Sequence, residues 1–464
     1  MTSWAAHELQ TATFNDRRLT RRLIRLVDDL SAHPSTSLPA ACGTWAATKG
    51  AYRFLDSDRV TPDAIRMAHR DQTLRRIPPH STILVIQDTT EFDFTSHPAT
   101  TGLGYLACPT HRGLRVHSVL AATIAGVPLG LLHQAVWTRD PALLETQRDR
   151  ARPQAERESQ RWLDGMITVA DILPPDVHAI IVADREADLY ALFAAHRPSH
   201  VDLLVRAAYN RSVDADTRLL DAAIATCPVG GTVTLEVPRR PQQPPRTATL
   251  TVRWLTVRFD PPKNMRQRAT LPRPPVQVVV VEEQHPPSGV PALRWVLLTT
   301  VPVTTFEEAL ESVRWYRPRW LIERYHFVLK SGCGVERLQW ETAARLERAL
   351  AVYCIVAWRL LWLTYEARQS PAEPCTLVLA PHEWQALYCT MHQTPIPIDT
   401  PPTLQQAVFW IAQLGGFLGR KGDGEPGAKV IWRGLRRLED IVATWVLLNG
   451  PTPCQRDGSL MGND

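Results

Sequence analysis

The sequence predicts an α/β protein with a β-rich insertion and helical modules at both ends. Three observations predict it. Two apolar runs with strand character, residues 82–87 and 179–183, each end on an acid, Asp88 and Asp184. Between residues 232 and 301, apolar and polar residues alternate between Pro-rich turns. Before residue 82 and after residue 305, the apolar residues return at helical spacing.

The elements follow in order. Residues 13–30 read as a helix with a basic face, Arg17, Arg18, Arg21, Arg22 and Arg25, over apolar Leu19, Leu23, Leu26 and Val27. Asp16, Asp28 and Asp29 stand only at its ends, so the face suits DNA phosphates; a solvated basic face is the plainer alternative. A Pro/Ser-rich break at 33–39 precedes a helix expected over 40–55. A third helix begins at Thr61-Pro62-Asp63, with proline in its first turn. Residues 83–87 form a strand, and 115–125 and 127–137 form two more, joined at Gly126 as a hairpin. A helix over 154–172, a strand over 179–183, a helix over 186–196 and a strand over 201–206 come next. Three antiparallel strands, helix, strand, helix, strand is the order of a ribonuclease-H-like core.

Strands at 232–237, 247–259, 276–282 and 293–301 make the β-rich insertion. The core resumes with helices over 306–315 and 319–330 and a long helix from Glu341. A linker at 370–374 leads into a helical C-terminal region ending near Leu448, and 450–464 are expected to fray. The domain limits expected from this are 1–62, 63–366 (insertion about 211–300) and 367–464.

Composition narrows the function classes. A chain of 464 residues, 44% hydrophobic, is long enough for two or three domains with real cores. Net charge is +5, from 52 basic and 47 acidic residues, which permits a DNA partner without demanding one. The 8 cysteines form no C-x2-C pair, so neither a zinc site nor a disulfide framework is indicated, and a reducing cytoplasm fits. The first seventeen residues lack the apolar stretch of a signal peptide. The longest apolar stretch, 349–365, is interrupted by Arg359 and reads as a core helix rather than a membrane span.

The chemistry is carried by Asp88, Asp184 and a third acid, Glu323, in the run Tyr316-Arg317-Pro318-Arg319-Trp320-Leu321-Ile322-Glu323 that continues to Lys330. Transfer of a phosphodiester needs the attacking oxygen activated and the leaving oxygen stabilised in line; two hard divalent cations about 4 Å apart do both. Such cations take carboxylate oxygens. At about 100° per residue, Arg319, Glu323 and Lys330 share one helix face, with Tyr316 there too if the helix reaches it. The arginine and lysine suit phosphate oxygens and the tyrosine hydroxyl another. Taken singly, each acid is more simply a turn or cap residue and the helix face a solvated charge stripe.

These residues resemble the insertion-sequence-four family of bacterial DDE transposases, in its transposon-five branch. The likeness spans nearly the whole chain. It includes Gly50-Ala51-Tyr52-Arg53-Phe54, Ile86-Gln87-Asp88-Thr89-Thr90, Val116-His117-Ser118-Val119-Leu120, Gly130-Leu131-Leu132-His133-Gln134, Asp184-Arg185-Glu186-Ala187-Asp188, the Tyr-Arg-Glu-Lys run and Ala412-Gln413-Leu414-Gly415-Gly416-Phe417.

The resemblance implies a cut-and-paste transposase that pairs the terminal inverted repeats of a mobile element in a homodimer. It nicks one strand with water, forms and resolves a hairpin on the element end, and joins the 3′ end to target DNA. Asp88, Asp184 and Glu323 are then the metal-binding catalytic acids, with Mg2+ as the cofactor and Mn2+ able to substitute. Tyr316, Arg319 and Lys330 hold the opposite strand, Trp295 stacks an extruded base, and Arg206 contacts DNA. On sequence alone Trp295 is more simply a core residue and Arg206 a surface ion pair.

The chain departs from the transposon-five pattern at 113–115, where Gly-Leu-Arg replaces an aromatic position, at Arg324 and at Gln339. A bacterial cytoplasmic protein, nucleoid-associated when bound, is expected, with no membrane partner. The alternatives are a non-cutting DNA-binding regulator or inhibitor of transposition, and another ribonuclease-H-like nuclease such as a junction resolvase.

Overall fold

A computed structural model describes residues 3–139, 157–214, 217–237, 245–263, 265, 268–420 and 422–449. The start of the helix expected at 154 and the tail 450–464 lie outside the described residues. Two compact units are present, one of Met1–Ser31 with Ser35–Trp362, the other of Ala32–Pro34 with Leu363–Asp464.

In the first unit, α1 (Trp4–Glu8) precedes α2 (Arg17–Ala32). The Asp16 carboxylate accepts the Arg18 N–H at 2.8 Å and starts α2, later than the expected residue 13. Leu19, Leu23, Leu26, Val27 and Leu30 form its buried stripe. The single helix expected over 40–55 is two, α3 (Leu38–Cys42) and α4 (Trp45–Leu55). Gly43 breaks it in the left-handed region at φ 66°, and Thr44 caps the second piece. The third helix, α5 (Pro62–Arg76), starts where expected, capped by Thr61.

The strands are β1 (Thr82–Asp93), β2 (Gly104–Tyr105), β3 (Arg112–Thr123) and β4 (Pro128–Trp137), followed by α6 (Gln160–Ile172), β5 (His178–Ala183), α7 (Tyr190–Ala194) and β6 (Val201–Arg206). β1, β5 and β6 run parallel, with β3 and β4 antiparallel beside them. Their central residues are buried on both faces, which is why residues 83–86 and 179–183 read as unbroken apolar runs. Ile83, Val85, Ile181 and Leu203 pack with Trp162, Met166 and Val169 of α6 in the main core. The helix expected over 186–196 is a 3-10 turn at Arg185–Ala187 followed by the short α7.

After α8 (Leu220–Thr226), which the sequence reading lacked, come β7 (Gly231–Val237), β8 (Arg246–Arg258), β9 (Pro275–Glu283) and β10 (Arg294–Thr299). These strands extend the central sheet rather than standing apart from it. β10 pairs antiparallel with β6, and the order is β2-β3-β1-β5-β6-β10-β9-β8-β7, with β4 on β3. The chain then enters α9 (Phe306–Tyr316), started by a Thr305–Glu308 capping box. A 3-10 turn at Arg317–Arg319, α10 (Trp320–Phe327) and a π-turn at Val328–Gly332 follow without a break.

The long α11 (Ala343–Gln369) carries the boundary between units. In the second unit, α12 (Pro381–His392), α13 (Leu404–Leu414) and α14 (Ala428–Asn449) pack together. Gly434 lets α14 approach α13: a Cβ there would overlap the Ile411 carbonyl oxygen. No helix among the described residues is long and apolar enough to cross a membrane.

Candidate active site

β1 and β5 are paired in parallel register up to Ile86 and Val182. Asp88 and Asp184 each lie two residues beyond that pair, so they stand level on strands about 5 Å apart. Asp184 directly follows the last residue of β5, as expected. Asp88 does not end its strand: β1 runs on to Asp93, paired with β3 as far as Gly113. The apolar run stops at Asp88, just past the end of the pairing with β5, although the strand itself goes on.

Local hydrogen bonds hold both acids. Asp88 Oδ1 accepts the Thr89 N–H at 2.7 Å, and Asp184 Oδ1 accepts the Glu186 N–H at 2.9 Å, capping the 3-10 turn. Glu323, on α10, accepts from Arg319 Nη2 at 2.7 Å. The three acids share one electrostatic field. Burial, then the negative charges of Asp184 and Glu323, push the Asp88 carboxyl up to about 7, against the Thr89 N–H and Arg319.

That excess of negative charge suits a hard divalent cation. Among the described residues no three His, Cys, Asp or Glu side chains are gathered into a closed ligand set. Glu323 is instead engaged by Arg319, which offsets part of the charge.

The helical run places its other members unequally. Tyr316 is buried beside Arg319, and burial pushes its hydroxyl up to about 12. Its ring meets Trp295 edge to face at 5.5 Å. Trp295 is half-buried on β10. Arg206, the last residue of β6, feels Arg185, Tyr316, Arg319 and Asp184, and donates to the Arg294 carbonyl at 3.2 Å.

Lys330 lies farther along, in the π-turn, where the uniform 100° per residue assumed for the helix no longer holds. Its ammonium is 5.3 Å from the Phe92 ring and 3.8 Å from Glu336, at the far end of β1. Arg17, Arg18, Arg21 and Arg25 are exposed on α2 and Arg22 is half-buried; Arg25 pairs with Asp29 at 3.5 Å.

A cavity of about 1040 Å³ opens between the β7–β10 strands and α9. Arg185, Arg206, Arg246, Arg294, Arg314, Arg317 and Arg319 line it, against only Asp221 and Glu236 of opposite sign. Tyr316, Trp295 and the exposed Trp320 supply ring surface. A basic cavity with aromatic walls beside crowded carboxylates suits a polyanion carrying flat bases.

Sequence reasoning missed Arg185 and Glu186, although the Asp184-Arg185-Glu186 run could have signalled them. It also missed Thr89, whose N–H binds Asp88, and His117 and Arg161, which meet the Thr89 side chain. Arg161 gave no signal, because only the packing of α6 on the sheet brings it there.

Three family models match the chain in order. Residues 1–60 match the transposase DNA-binding model, residues 159–359 the transposase DDE domain and residues 355–446 the transposase Tn5 dimerisation domain. Asp184 and Glu323 fall inside the DDE match and Asp88 precedes it. The protein is thus a strand-transfer enzyme with DNA-binding and dimerisation segments, of a kind that uses divalent metal ions. The chain belongs to the insertion-sequence-four family of DDE transposases, in its Tn5-like branch.

Proposed function

We propose that the chain is a cut-and-paste transposase that nicks and hairpins the ends of its element and joins the 3′ ends to target DNA. The observation that carries this reading is the level placement of Asp88 and Asp184 in one field with Glu323, beside a basic cavity walled by Tyr316 and Trp295.

Asp88, Asp184 and Glu323 hold the divalent metal, which is Mg2+ in the cell, with Mn2+ able to replace it. When bound there, the metal supplies Lewis-acid activation of the attacking oxygen and charge stabilisation at the leaving one. Arg319 and Tyr316 grip phosphate oxygens of the uncut strand, with Arg206 and Lys330 extending the contact along the backbone. Trp295 offers a stacking surface for a base drawn out of the end, a displacement costing a few kcal/mol. The arginines of α2 meet phosphates of the terminal inverted repeats. Two copies, paired through the C-terminal helices, hold both ends in one complex. The work is done on DNA in the cytoplasm.

The test is a cleavage assay on the inverted repeats flanking the protein's own element, with Mg2+, read on a denaturing gel. A nick at the element end followed by a hairpin product is expected. Replacing Asp88, Asp184 or Glu323 by Ala should remove both while end binding survives. End binding with no cut strand under any metal would overturn the reading in favour of a regulator.

A further inference from the structure

Arg161 sits in the first turns of α6, remote in sequence from both aspartates, yet its guanidinium ties their neighbours together. Its Nε donates to Thr89 Oγ1 at 2.7 Å, its Nη2 to Glu186 Oε2 at 2.9 Å and its Nη1 to the Glu158 carbonyl at 2.5 Å. Thr89 and Glu186 are the residues whose N–H groups bind the Asp88 and Asp184 carboxylates. One planar cation thus bridges the strand residue after Asp88 and the 3-10 turn that follows Asp184.

The chain of contacts continues into the sheet. Thr89 Oγ1 is 2.9 Å from His117 Nδ1, and His117 Nε2 is 3.0 Å from Gln87 Oε1. The roles close consistently. The Gln87 carbonyl accepts from His117 Nε2–H, which leaves Nδ1 to accept from the Thr89 hydroxyl, whose oxygen accepts from Arg161. His117 is fully buried, edge-on to Trp162 at 4.7 Å. Thr89 Oγ1 is thus held between Arg161 and His117.

The Glu186 side chain is 59% exposed, and an ion pair to so exposed a partner adds little stability. Arg161, whose side chain is only 11% exposed, also lies 5.6 and 5.7 Å from the Trp137 and Trp162 rings, but its two side-chain hydrogen-bond partners, Thr89 and Glu186, adjoin Asp88 and Asp184.

We propose that Arg161, acting through Thr89 and Glu186, is a positioning residue that sets the spacing of Asp88 and Asp184 for the divalent metal they share. The inference rests on the cutting reading given above. It concerns residues around the carboxylates rather than the carboxylates themselves.

The test uses the full-length protein bound to element-end DNA, with Arg161→Ala and Thr89→Val. Two quantities are read: the Mn2+ concentration giving half-maximal nicking, and the Mn2+ bound, counted by electron paramagnetic resonance. For Arg161→Ala the half-maximal concentration should rise about 10-fold or more and bound Mn2+ should fall, with end affinity held within about twofold. Thr89→Val, which keeps shape and loses only the hydroxyl, should shift both readouts in the same direction by less; it decides the matter if Arg161→Ala does not fold. A folded variant with the wild-type Mn2+ midpoint and wild-type Mn2+ binding overturns the positioning role. Wild-type protein that neither nicks nor binds Mn2+ overturns the cutting function itself, so the two failures are distinct.

Discussion

The Arg319 guanidinium lies 2.7 Å from the Glu323 carboxylate, one helical turn away, and in the same field as Asp88. Arg319 therefore stands where it offsets the charge of the three acids when no metal is bound. Arg319→Ala should leave those acids uncompensated, so the protein should gain more thermal stability from added Mn2+ than wild type does. Parallel melting curves with and without Mn2+ check this. Equal gains in the two proteins would show that Arg319 does not compensate the acids.

Asp88 gives a pH-dependent prediction. Its folded value, about 7, lies above the ordinary 3.8 because burial and then Asp184 oppose its ionisation. Below about pH 4 the group is neutral in both folded and unfolded chains. Between there and pH 7 the unfolded chain gives up its proton first, so this group's contribution to stability falls as pH rises. Asp88→Asn should therefore stabilise the metal-free protein at pH 8, by something of order 2 kcal/mol. The gain should shrink toward pH 4. Melting temperatures in chelator at the two pH values measure it, and an equal gain at both would rule out this origin.

Trp295 and Tyr316 meet edge to face, and Trp295 lines the basic cavity where a base could stack on it. Trp295→Ala should keep the first nick and lose the hairpin, as about 1–3 kcal/mol of stacking disappears. Trp295→Phe should recover much of it. A 2-aminopurine at the element end reports unstacking directly. Unchanged fluorescence and hairpin yield in Trp295→Ala would assign the ring to packing alone.

Glu8 joins α1 to α5 in a buried network. Its carboxylate meets His69 Nδ1 at 2.5 Å and accepts from Arg76 at 2.7 and 3.0 Å, while His69 Nε2 accepts the Leu131 N–H at 3.0 Å. Burial pushes the Glu8 carboxyl up, but His69 and Arg76 outweigh it and hold it at about 2. A depressed folded value stabilises above the ordinary 4.5, and that stabilisation is lost as pH falls toward 2. Glu8→Gln should cost about 3 kcal/mol near neutral pH, the usual effect of breaking a buried pair. Denaturant melts at pH 7 and pH 3 should show the gap narrowing at the lower pH.

Gly165 lies where α6 crosses β1. A Cβ there would come within 2.7 Å of Gln87 Oε1, which is fully buried and bound to His117. Gly165→Ala should push α6 outward and cost about 1–3 kcal/mol despite alanine's better helix propensity. A melt measures the cost, and a stabilised variant would mean that Gln87 can turn aside.

Much of this protein was legible in its sequence, because local rules govern those parts. Parallel strands buried on both faces must be apolar throughout, so β1 and β5 announced themselves and so did the acids that end their apolar runs. Thr61-Pro62 marked the start of α5, and the basic stripe Arg17–Arg25 marked the exposed face of α2. Other features depend on partners distant in the chain. Asp88 lies within a longer strand because β3 continues to pair with β1 after β5 has stopped, which no local pattern records. The strands read as an insertion join the central sheet because β10 finds β6 across nearly ninety residues. The π-turn that carries Lys330 to Glu336 departs from the uniform helix that periodicity assumes. Arg161 reaches Thr89 on β1 and Glu186 after Asp184 only because α6 packs on the sheet. Residue types and their spacing determined which chemistry the chain could perform; long-range packing decided which side chains were brought together to perform it.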